Sequence, residues 1–289
     1  MSFAHLLPPS WKTQVTAWLE EDTPSLDYGG FVVGEAEKTA FLLGKGKSPA
    51  ILAGVPFVDE IFQQLSCRVE WHMQEGETFE PIKRVATVTG KARHLLLGER
   101  IALNLLARCS GIATKSRRFK DIARSNGYKG IIAGTRKTTP GFRLVEKYGM
   151  IVGGIDAHRH DLSSMIMLKD NHIWSCGSIT NAISAARSVG GFSLLLDVEV
   201  RTEEEANEAI EAGADVVMLD NMEGENLLQT ARRLRERWNG KRFLLETSGG
   251  IDEGNLRERA VNEIDILSTS AVHQGVQHID FSLKIQKDG

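Results

Sequence analysis

The chain has 289 residues, of which 42% are hydrophobic and 25% charged, and its formal net charge is −3. This composition is typical of a folded protein with a large core, built as one or two domains. Because the net charge is small and negative, no overall electrostatic attraction to nucleic acid or to a membrane surface is expected, and neither is predicted as a partner. No run approaches the roughly 20 apolar residues that span a bilayer.

The three cysteines, Cys67, Cys109 and Cys176, are far apart and form no CxxC pair. A disulfide framework or a structural zinc site is therefore not expected, and a reducing compartment is favoured. The first ten residues lack the basic and long apolar regions of a secretory signal. These features predict a cytoplasmic protein, and nothing in the sequence separates a cytoplasmic from a nuclear location.

The first 127 residues predict an α+β region. Residues 11–21 predict a helix with Ser10 as its cap. Residues 93–125 predict a long helix, because apolar side chains recur every three or four positions and form one buried stripe that includes Cys109. Short apolar runs between Gly, Lys, Ser and Pro predict strands. The predicted strands are 31–33, 39–43, 50–53, 67–71 and 85–90, and a short helix is predicted at 58–65.

From Gly127 onward, apolar strands alternate with amphipathic helices, a pattern typical of a parallel sheet covered by helices. Seven strands are predicted, one fewer than a closed β/α barrel contains, so a barrel and an open doubly wound sheet are both considered. No GxGxxG motif opens a helix, which disfavours a dinucleotide site. The predicted strands are 130–133, 150–152, 165–168, 192–198, 214–219, 242–245 and 264–267.

Polar or charged residues follow the ends of these strands. In a β/α barrel the strand ends meet at one rim, where active sites lie. Arg136, Lys137, Arg159 and Lys169 would make that rim cationic and suited to carboxylates or phosphates. The sequence Ser248-Gly249-Gly250 matches a phosphate site built from backbone N–H groups and a hydroxyl.

Glu199 and Asp220 are carboxylates among these cations. They could hold Mg²⁺, bind sugar hydroxyls or stabilise a developing positive charge. Structural salt bridges with the same cations are the alternative. His158, His160 and His172 raise a zinc site as a further alternative, but no HExxH occurs and the neighbouring charges are mostly positive. His158 is better interpreted as part of an anion site, and His160 and His172 as structural or outer-shell histidines.

An ordered set of motifs across nearly the whole chain resembles the quinolinate phosphoribosyltransferases, the decarboxylating nicotinate-nucleotide pyrophosphorylases, and the overall sequence is similar to fungal members. The motifs are ARCSGIA at 107–113, GTRKTTPGFR at 134–143, GG at 153–154, HR at 158–159, MLKDNH at 167–172, VEV at 198–200, MLDN at 218–221 and TSGG at 247–250.

The resemblance implies an α/β fold with an N-terminal open α/β sandwich and an incomplete, seven-stranded β/α barrel. The implied boundaries are 1–127 for the sandwich and its linking helix, 128–276 for the catalytic barrel, and 277–289 for a segment returning to the sandwich. It also implies a pentosyltransferase of NAD biosynthesis, which uses Mg²⁺. That enzyme joins quinolinate to 5-phosphoribosyl 1-diphosphate and yields nicotinate mononucleotide, diphosphate and CO₂.

Residue by residue, the resemblance implies that Arg136, His158 and Arg159 clamp the quinolinate carboxylates. Lys137 and Lys169 would contact a substrate carboxylate or the diphosphate. Together with Glu199 and Asp220 they form the implied catalytic set, and the two carboxylates would face the ribose and the metal, directly or through water.

The implied substrate site extends to further residues. Ser248, Gly249 and Gly250 would hold the 5-phosphate, and Thr138 is a further implied substrate-binding residue. Ser270 stands where the family often has Gly, and it keeps a backbone donor while adding a hydroxyl. Arg108 lies in a polar row beside the buried stripe of the long helix. It resembles an arginine that enters the neighbouring subunit's site, which implies a homo-oligomer with a dimer as its minimal unit and a hexamer as a larger alternative.

Three other functions are considered. A phosphoribosyltransferase of the same fold could use nicotinate, although two clamps for a second carboxylate disfavour it. A phosphate-binding barrel isomerase or synthase would not depend on the diphosphate sugar. A catalytically silent oligomeric scaffold is disfavoured, because the charged strand ends are complete.

Overall fold

The chain folds into two units. The first contains a four-stranded antiparallel sheet and the second contains a six-stranded parallel sheet. The computed structural model describes residues 2–287. The first unit joins three segments, 1–116, 140–154 and 275–289, and the second joins 117–139 and 155–274. Residues 140–154, predicted with the barrel, contact the first unit instead. The last two residues of the predicted segment 277–289, and Met1 of 1–127, lie outside the described range.

The helices follow a short 3-10 turn at Phe3–Leu6. They are α1 (Trp11–Asp22), α2 (Tyr28–Val33), α3 (Val55–Gln64), α4 (Ala92–Ser125), α5 (Arg143–Gly153), α6 (Asp170–Cys176), α7 (Ile179–Gly190), α8 (Glu203–Ala212), α9 (Gly224–Arg237) and α10 (Leu256–Arg259). Across residues 2–287, no helix combines the length and the apolar character that crossing a bilayer requires.

The strands fall into three sheets with the orders β12-β1-β5-β3, β2-β4 and β6-β11-β10-β9-β8-β7. They are β1 (Glu37–Gly44), β2 (Ala50–Ile51), β3 (Arg68–Trp71), β4 (Thr78–Phe79), β5 (Lys83–Lys91), β6 (Ile131–Ala133), β7 (Ile166–Leu168), β8 (Leu196–Val200), β9 (Val216–Asp220), β10 (Leu244–Ser248), β11 (Ile266–Ser268) and β12 (Phe281–Ile285).

The first unit is built on the antiparallel sheet. The early strand β1 pairs with β5 on one side and with the late strand β12 on the other, where Ala40 lies opposite Ile285. One face of this sheet and the buried side of α4 enclose a core that includes Leu42, Val88 and Cys109, all at most 1% exposed. The interpretation of Cys109 as a core residue is therefore confirmed.

Two predicted strands of this unit are wrong. Residues 31–33 end the helix α2, whose cap is Asp27, which accepts a hydrogen bond from Gly30 N at 2.8 Å. Residues 150–152 lie inside the amphipathic helix α5. Ser10 does occupy the cap position of α1, but its side chain makes no capping hydrogen bond. Apolar runs of three residues fit a strand or a turn of helix equally well, which explains both errors.

The second unit contains the parallel sheet, with six strands rather than the predicted seven. The first strand, β6, pairs with the last, β11, and the others follow in chain order back to β7. The strand order is therefore that of a barrel that is not closed between its first strand, β6, and its second, β7. It disfavours the doubly wound alternative. A single parallel bridge from Ala133 to Asp156 occupies the open side of β6.

Close packing of α5 against α4 predicts a large cost for any side chain at Gly153. A Cβ there would lie 2.6 Å from both Ala113 O and Ser116 Cβ. We expect Gly153→Ala to lower the free energy of unfolding by about 1–3 kcal/mol, as overpacking does. Chemical denaturation would measure the change. Gly29→Ala is the matched control, because the nearest atom to a Cβ added there is 3.9 Å away. An unchanged denaturation midpoint for Gly153→Ala would contradict the prediction.

Candidate active site

A cavity of about 510 Å³ lies in the second unit and is lined from the carboxyl ends of the parallel strands. Every predicted site residue lines it except Arg108, Thr138 and Ser270. The lining residues are Thr135, Arg136, Lys137, His158, Arg159, Met167, Lys169, Glu199, Met218, Asp220, Asn221, Glu246, Ser248, Gly249, Gly250 and Ser268.

The loop after β6 presents Arg136 to the cavity. Thr135 anchors this loop, since its Oγ1 lies 3.0 Å from His273 Nε2 and accepts a hydrogen bond from Lys137 N at 3.1 Å. The buried Nε of Arg136 has no hydrogen-bond partner among the described residues. A buried donor of this kind leaves hydrogen-bonding capacity for an anion within the cavity.

The turn at His158 is held in the left-handed region, with φ at 56°. Asp156 accepts a hydrogen bond from His158 N at 2.6 Å, and His158 Nδ1 accepts one from Arg159 N at 2.8 Å. In the neutral imidazole the proton must then lie on Nε2, which faces Glu246 Oε1 at 3.3 Å. The hydroxyl of Ser268 also donates to Glu246, so this carboxylate fixes the ring orientation.

Arg159 is the second guanidinium of the cavity. Its Nη1 donates to Met165 O at 3.4 Å and its Nη2 lies 3.2 Å from Met167 Sδ, both weak contacts. Burial lowers the pKa of Arg159, and the like charge of Arg136 lowers it further, while nearby carboxylates oppose the shift. Two neighbouring guanidiniums that repel each other favour a ligand that brings at least two negative charges.

The guanidinium of Arg159 interacts electrostatically with buried carboxylates that were not predicted as site residues. Asp197 on β8 is 0% exposed, and neither of its carboxylate oxygens has a hydrogen-bond partner among the described residues. Burial raises the pKa of Asp197, and Glu246 raises it further, while Lys169 and Arg159 act in the opposite direction. The alternation of side chains along a strand offered a signal, because Asp197 shares a face with Glu199.

Lys169 and Glu199 form an ion pair at the ends of β7 and β8. Asp220, at the end of β9, accepts a hydrogen bond from Asn221 Nδ2 at 2.7 Å. His172 Nδ1 accepts from Lys169 N at 3.1 Å and so caps the start of α6. This capping role agrees with the interpretation of His172 as structural rather than zinc-binding.

The Ser248-Gly249-Gly250 loop follows β10 and requires glycine. Gly249 and Gly250 have φ values of 93° and 61°. A Cβ on Gly249 would lie 2.1 Å from Asn221 Oδ1. The bare backbone can therefore approach an anion closely, as phosphate-binding loops do.

Two groups of residues at this site are candidates for holding a cation. His158, Asp197 and Glu246 have potential ligand atoms within 4.8 Å of one another. Because His158 Nδ1 already accepts from Arg159 N, its Nε2 carries the proton and has no lone pair for a metal. The oxygen ligands of Glu199 and Asp220 fit Mg²⁺ better, since that ion binds through one or two carboxylates and substrate phosphates.

The three predicted residues outside the cavity lining have other contacts. Arg108 Nη2 lies 2.7 Å from Oε1 of Glu146, a carboxylate within the same unit whose side chain is 1% exposed. Thr138 Oγ1 donates to Arg136 O at 3.4 Å. Ser270 O accepts from Gln274 N at 2.7 Å. Thr138 and Ser270 thus support the loops that carry the lining residues.

The cyclic strand order and the cationic cavity together define a β/α barrel that binds small, multiply anionic molecules. Models of the quinolinate phosphoribosyl transferase N-terminal and C-terminal domains match residues 28–110 and 112–284. The chain therefore belongs to the quinolinate phosphoribosyl transferase family, which confirms the resemblance stated above. The similarity to fungal members stays a prediction.

Individual relatives match over all or nearly all of their length. The carboxylating nicotinate-nucleotide pyrophosphorylase of Dictyostelium discoideum is 49% identical, over 99% of this chain and 100% of the relative. The protein of the same name from Rattus norvegicus is 47% identical, over 98% of this chain and 94% of the relative. The solved structure of nicotinate-nucleotide pyrophosphorylase from Francisella tularensis has a TM-score of 0.89 at 31% identity, covering 99% and 100% of the two chains.

Proposed function

We propose that this chain transfers the 5-phosphoribosyl group of 5-phosphoribosyl 1-diphosphate to quinolinate with decarboxylation, in NAD biosynthesis. The products are nicotinate mononucleotide, diphosphate and CO₂. The observation that carries the proposal is one cavity in which Arg136 and Arg159 lie together and the Gly249-Gly250 loop also takes part. Such a cavity suits a dicarboxylate and a phosphorylated sugar at the same time.

Quinolinate would bind through its two carboxylates. Arg136 and Arg159 supply planar guanidiniums, which make bidentate contacts with carboxylates. His158, whose ring orientation is fixed, would also contact a quinolinate carboxylate. Lys137 and Lys169 would place positive charge near the diphosphate. Two bound carboxylates hold the pyridine ring rigidly, so that the ring nitrogen can be directed at the sugar.

The phosphoribosyl donor would bind with its 5-phosphate at Ser248, Gly249 and Gly250. The quinolinate nitrogen then forms a bond to C1 of the ribose while the bond from C1 to the diphosphate oxygen breaks. Positive charge develops on the ribose during this step. Glu199 and Asp220 are the carboxylates that can stabilise it, and electrostatic stabilisation of this kind is usually a large part of catalysis.

Decarboxylation follows from the product of that transfer. The alkylated ring nitrogen is positively charged and stabilises the electron pair that stays on the adjacent ring carbon when its carboxylate departs as CO₂. The ring carbon then takes up a proton in place of the carboxylate. The protein contributes by holding the ring within a cavity whose buried residues limit the access of water.

We further propose that Mg²⁺ is the cofactor, held by Glu199 and Asp220 directly or through water. The ion would neutralise charge on the departing diphosphate when it is bound. Glu199 is paired with Lys169, so Mg²⁺ bound directly to this carboxylate would replace the ammonium group as its partner. The proposed location is the cytoplasm, with a nuclear location as the alternative.

The proposed assembly is a homo-oligomer whose minimal unit is a dimer with shared active sites, and a hexamer is the larger alternative. The family resemblance of Arg108 supports it, because that arginine would reach the neighbouring subunit's site. Within its own chain Arg108 contacts Glu146, so entry into a second subunit would exchange this partner for a substrate anion.

The function can be tested with quinolinate labelled in its 2-carboxylate. Labelled CO₂ should be released only when 5-phosphoribosyl 1-diphosphate is present, and nicotinate should not replace quinolinate. Turnover of nicotinate in preference to quinolinate would favour the alternative transferase. Absence of release with the folded protein and both substrates would refute the proposal.

A further inference from the structure

Arg259, the last residue of α10, is among the largest fully buried side chains of the described chain, at 1% exposure. It does not line the cavity, and neither the strand-end pattern nor the family motifs pointed to it. A guanidinium is rarely buried to this extent unless it has acceptors to satisfy its donors. Its acceptors belong to the loops that shape the phosphate end of the cavity.

One nitrogen of Arg259 holds the backbone of the glycine loop. Nη2 donates to Ser248 O at 2.8 Å and to Gly249 O at 3.2 Å. A trans peptide unit is planar, and its C=O and N–H point in opposite directions. The N–H groups of Gly249 and Gly250 are therefore directed away from Arg259. Both glycines line the cavity, so the arginine sets the direction of two candidate phosphate donors.

The other end of the guanidinium contacts the neighbouring loop. Nη1 lies 3.1 Å from Oε1 of Glu223, which follows β9, although the contact lacks hydrogen-bond geometry. Asn221, from the same loop, donates its N–H to Ser248 O at 3.1 Å. Arg259 thus contacts both the loop after β9 and the loop after β10.

The buried guanidinium also places positive charge behind the loop. Burial lowers the pKa of Arg259, whereas the carboxylates of Glu223 and Asp220 raise it. An arginine side chain nevertheless stays protonated at neutral pH. In surroundings of low dielectric its charge acts over a longer distance than a solvated charge would.

We propose that Arg259 is a positioning residue that orients the Ser248–Gly250 backbone toward the 5-phosphate of the phosphoribosyl donor and supplies buried positive charge behind it. The choice of ligand rests on the proposed function, whereas the loop geometry does not. Arg259 does not touch the ligand in this arrangement. It acts through the two carbonyl groups that it holds and through its charge.

Three variants of the full chain test the proposal. Arg259→Met removes the donors and the charge while keeping an unbranched apolar chain. Arg259→Lys keeps the charge but lacks the planar fork that reaches both loops. Arg257→Met is the matched control, because Arg257 is an exposed residue of the same helix. Initial rates would give KM for 5-phosphoribosyl 1-diphosphate and for quinolinate, and calorimetry would give the affinity for ribose 5-phosphate.

We expect Arg259→Met to raise KM for the donor about tenfold, as the loss of one charge-assisted hydrogen bond would. Arg259→Lys should give a smaller rise, and quinolinate KM should stay within about twofold, since weak coupling between separate subsites is expected. Arg257→Met should change neither constant. An unchanged donor KM in both Arg259 variants would overturn the proposal, as would an equal rise in both KM values, which indicates a general structural effect.

If Arg259→Met does not fold, Arg259→Lys and Glu223→Gln replace it. Each should then raise KM for 5-phosphoribosyl 1-diphosphate while leaving KM for quinolinate within about twofold. Ribose 5-phosphate separates this inference from the proposed function. If the parent chain releases no CO₂ but binds ribose 5-phosphate, and Arg259→Met weakens that binding, the positioning role stands and the proposed function fails. If the parent chain does not bind ribose 5-phosphate, the positioning role is refuted.

Discussion

Arg159→Ala and Arg136→Ala are each expected to weaken quinolinate binding about a hundredfold, because each removes a charge-assisted contact to a carboxylate in a partly buried site. Arg159 makes only weak contacts with Met165 and Met167, and its repulsion from Arg136 is relieved by the substitution. The fold should therefore survive. Calorimetric titration with quinolinate would measure the affinity, and circular dichroism would check the fold.

Arg242→Ala is a suitable control, because Arg242 is exposed and removed from the cavity lining. It removes the same charge from the chain without touching the proposed clamps. Wild-type affinity for quinolinate in a folded Arg159→Ala or Arg136→Ala protein would refute the assigned roles. A comparable loss in Arg242→Ala would show that net charge, rather than the clamp geometry, governs binding.

Glu199→Gln and Asp220→Asn are expected to lower kcat about a hundredfold or more, the range seen when one stabilising group is removed from a transition state. Glu199 forms an ion pair with Lys169. The amide would release Lys169 to bind substrate anions, so substrate affinity should not fall with kcat. Pre-steady-state kinetics at saturating substrate, over a range of Mg²⁺ concentrations, would separate these effects.

Glu211→Gln, at an exposed position, makes the same chemical change far from the strand ends that form the cavity. It should retain full activity and an unchanged Mg²⁺ dependence. Wild-type kcat for Glu199→Gln and Asp220→Asn would contradict their proposed catalytic role. A loss of activity without any change in Mg²⁺ dependence would contradict only their role as metal ligands.

The sequence was informative about the parallel sheet and the cavity because polar residues directly follow the apolar runs that form six of its seven predicted strands. Lys169 and Asp220 stand directly at such ends, and the sheet topology brings them to one cavity. The errors arose where the local pattern was ambiguous. Residues 31–33 are apolar yet largely exposed on α2, and no local periodicity distinguishes that helix from a strand.

The missed residues share another property. Asp197 and Glu246 lie within strands, directly before the VEV and TSGG motifs, and Arg259 lies in a short helix. Their importance comes from burial and from partners distant along the chain, such as His158 for Glu246. Single-sequence patterns describe near neighbours in the chain and carry little information on pairings across 88 residues.

The pairing of β1 with β12 has a consequence for protein synthesis. Residue 40 leaves the ribosome long before residue 285, its partner in the sheet. Until then one side of β1 presents unpaired backbone groups, which can recruit foreign strands. The nascent chain therefore carries an incomplete antiparallel sheet throughout the translation of the barrel. Fragments of the chain that end before residues 281–285 would lack the partner of this edge altogether and would expose it to intermolecular strand pairing.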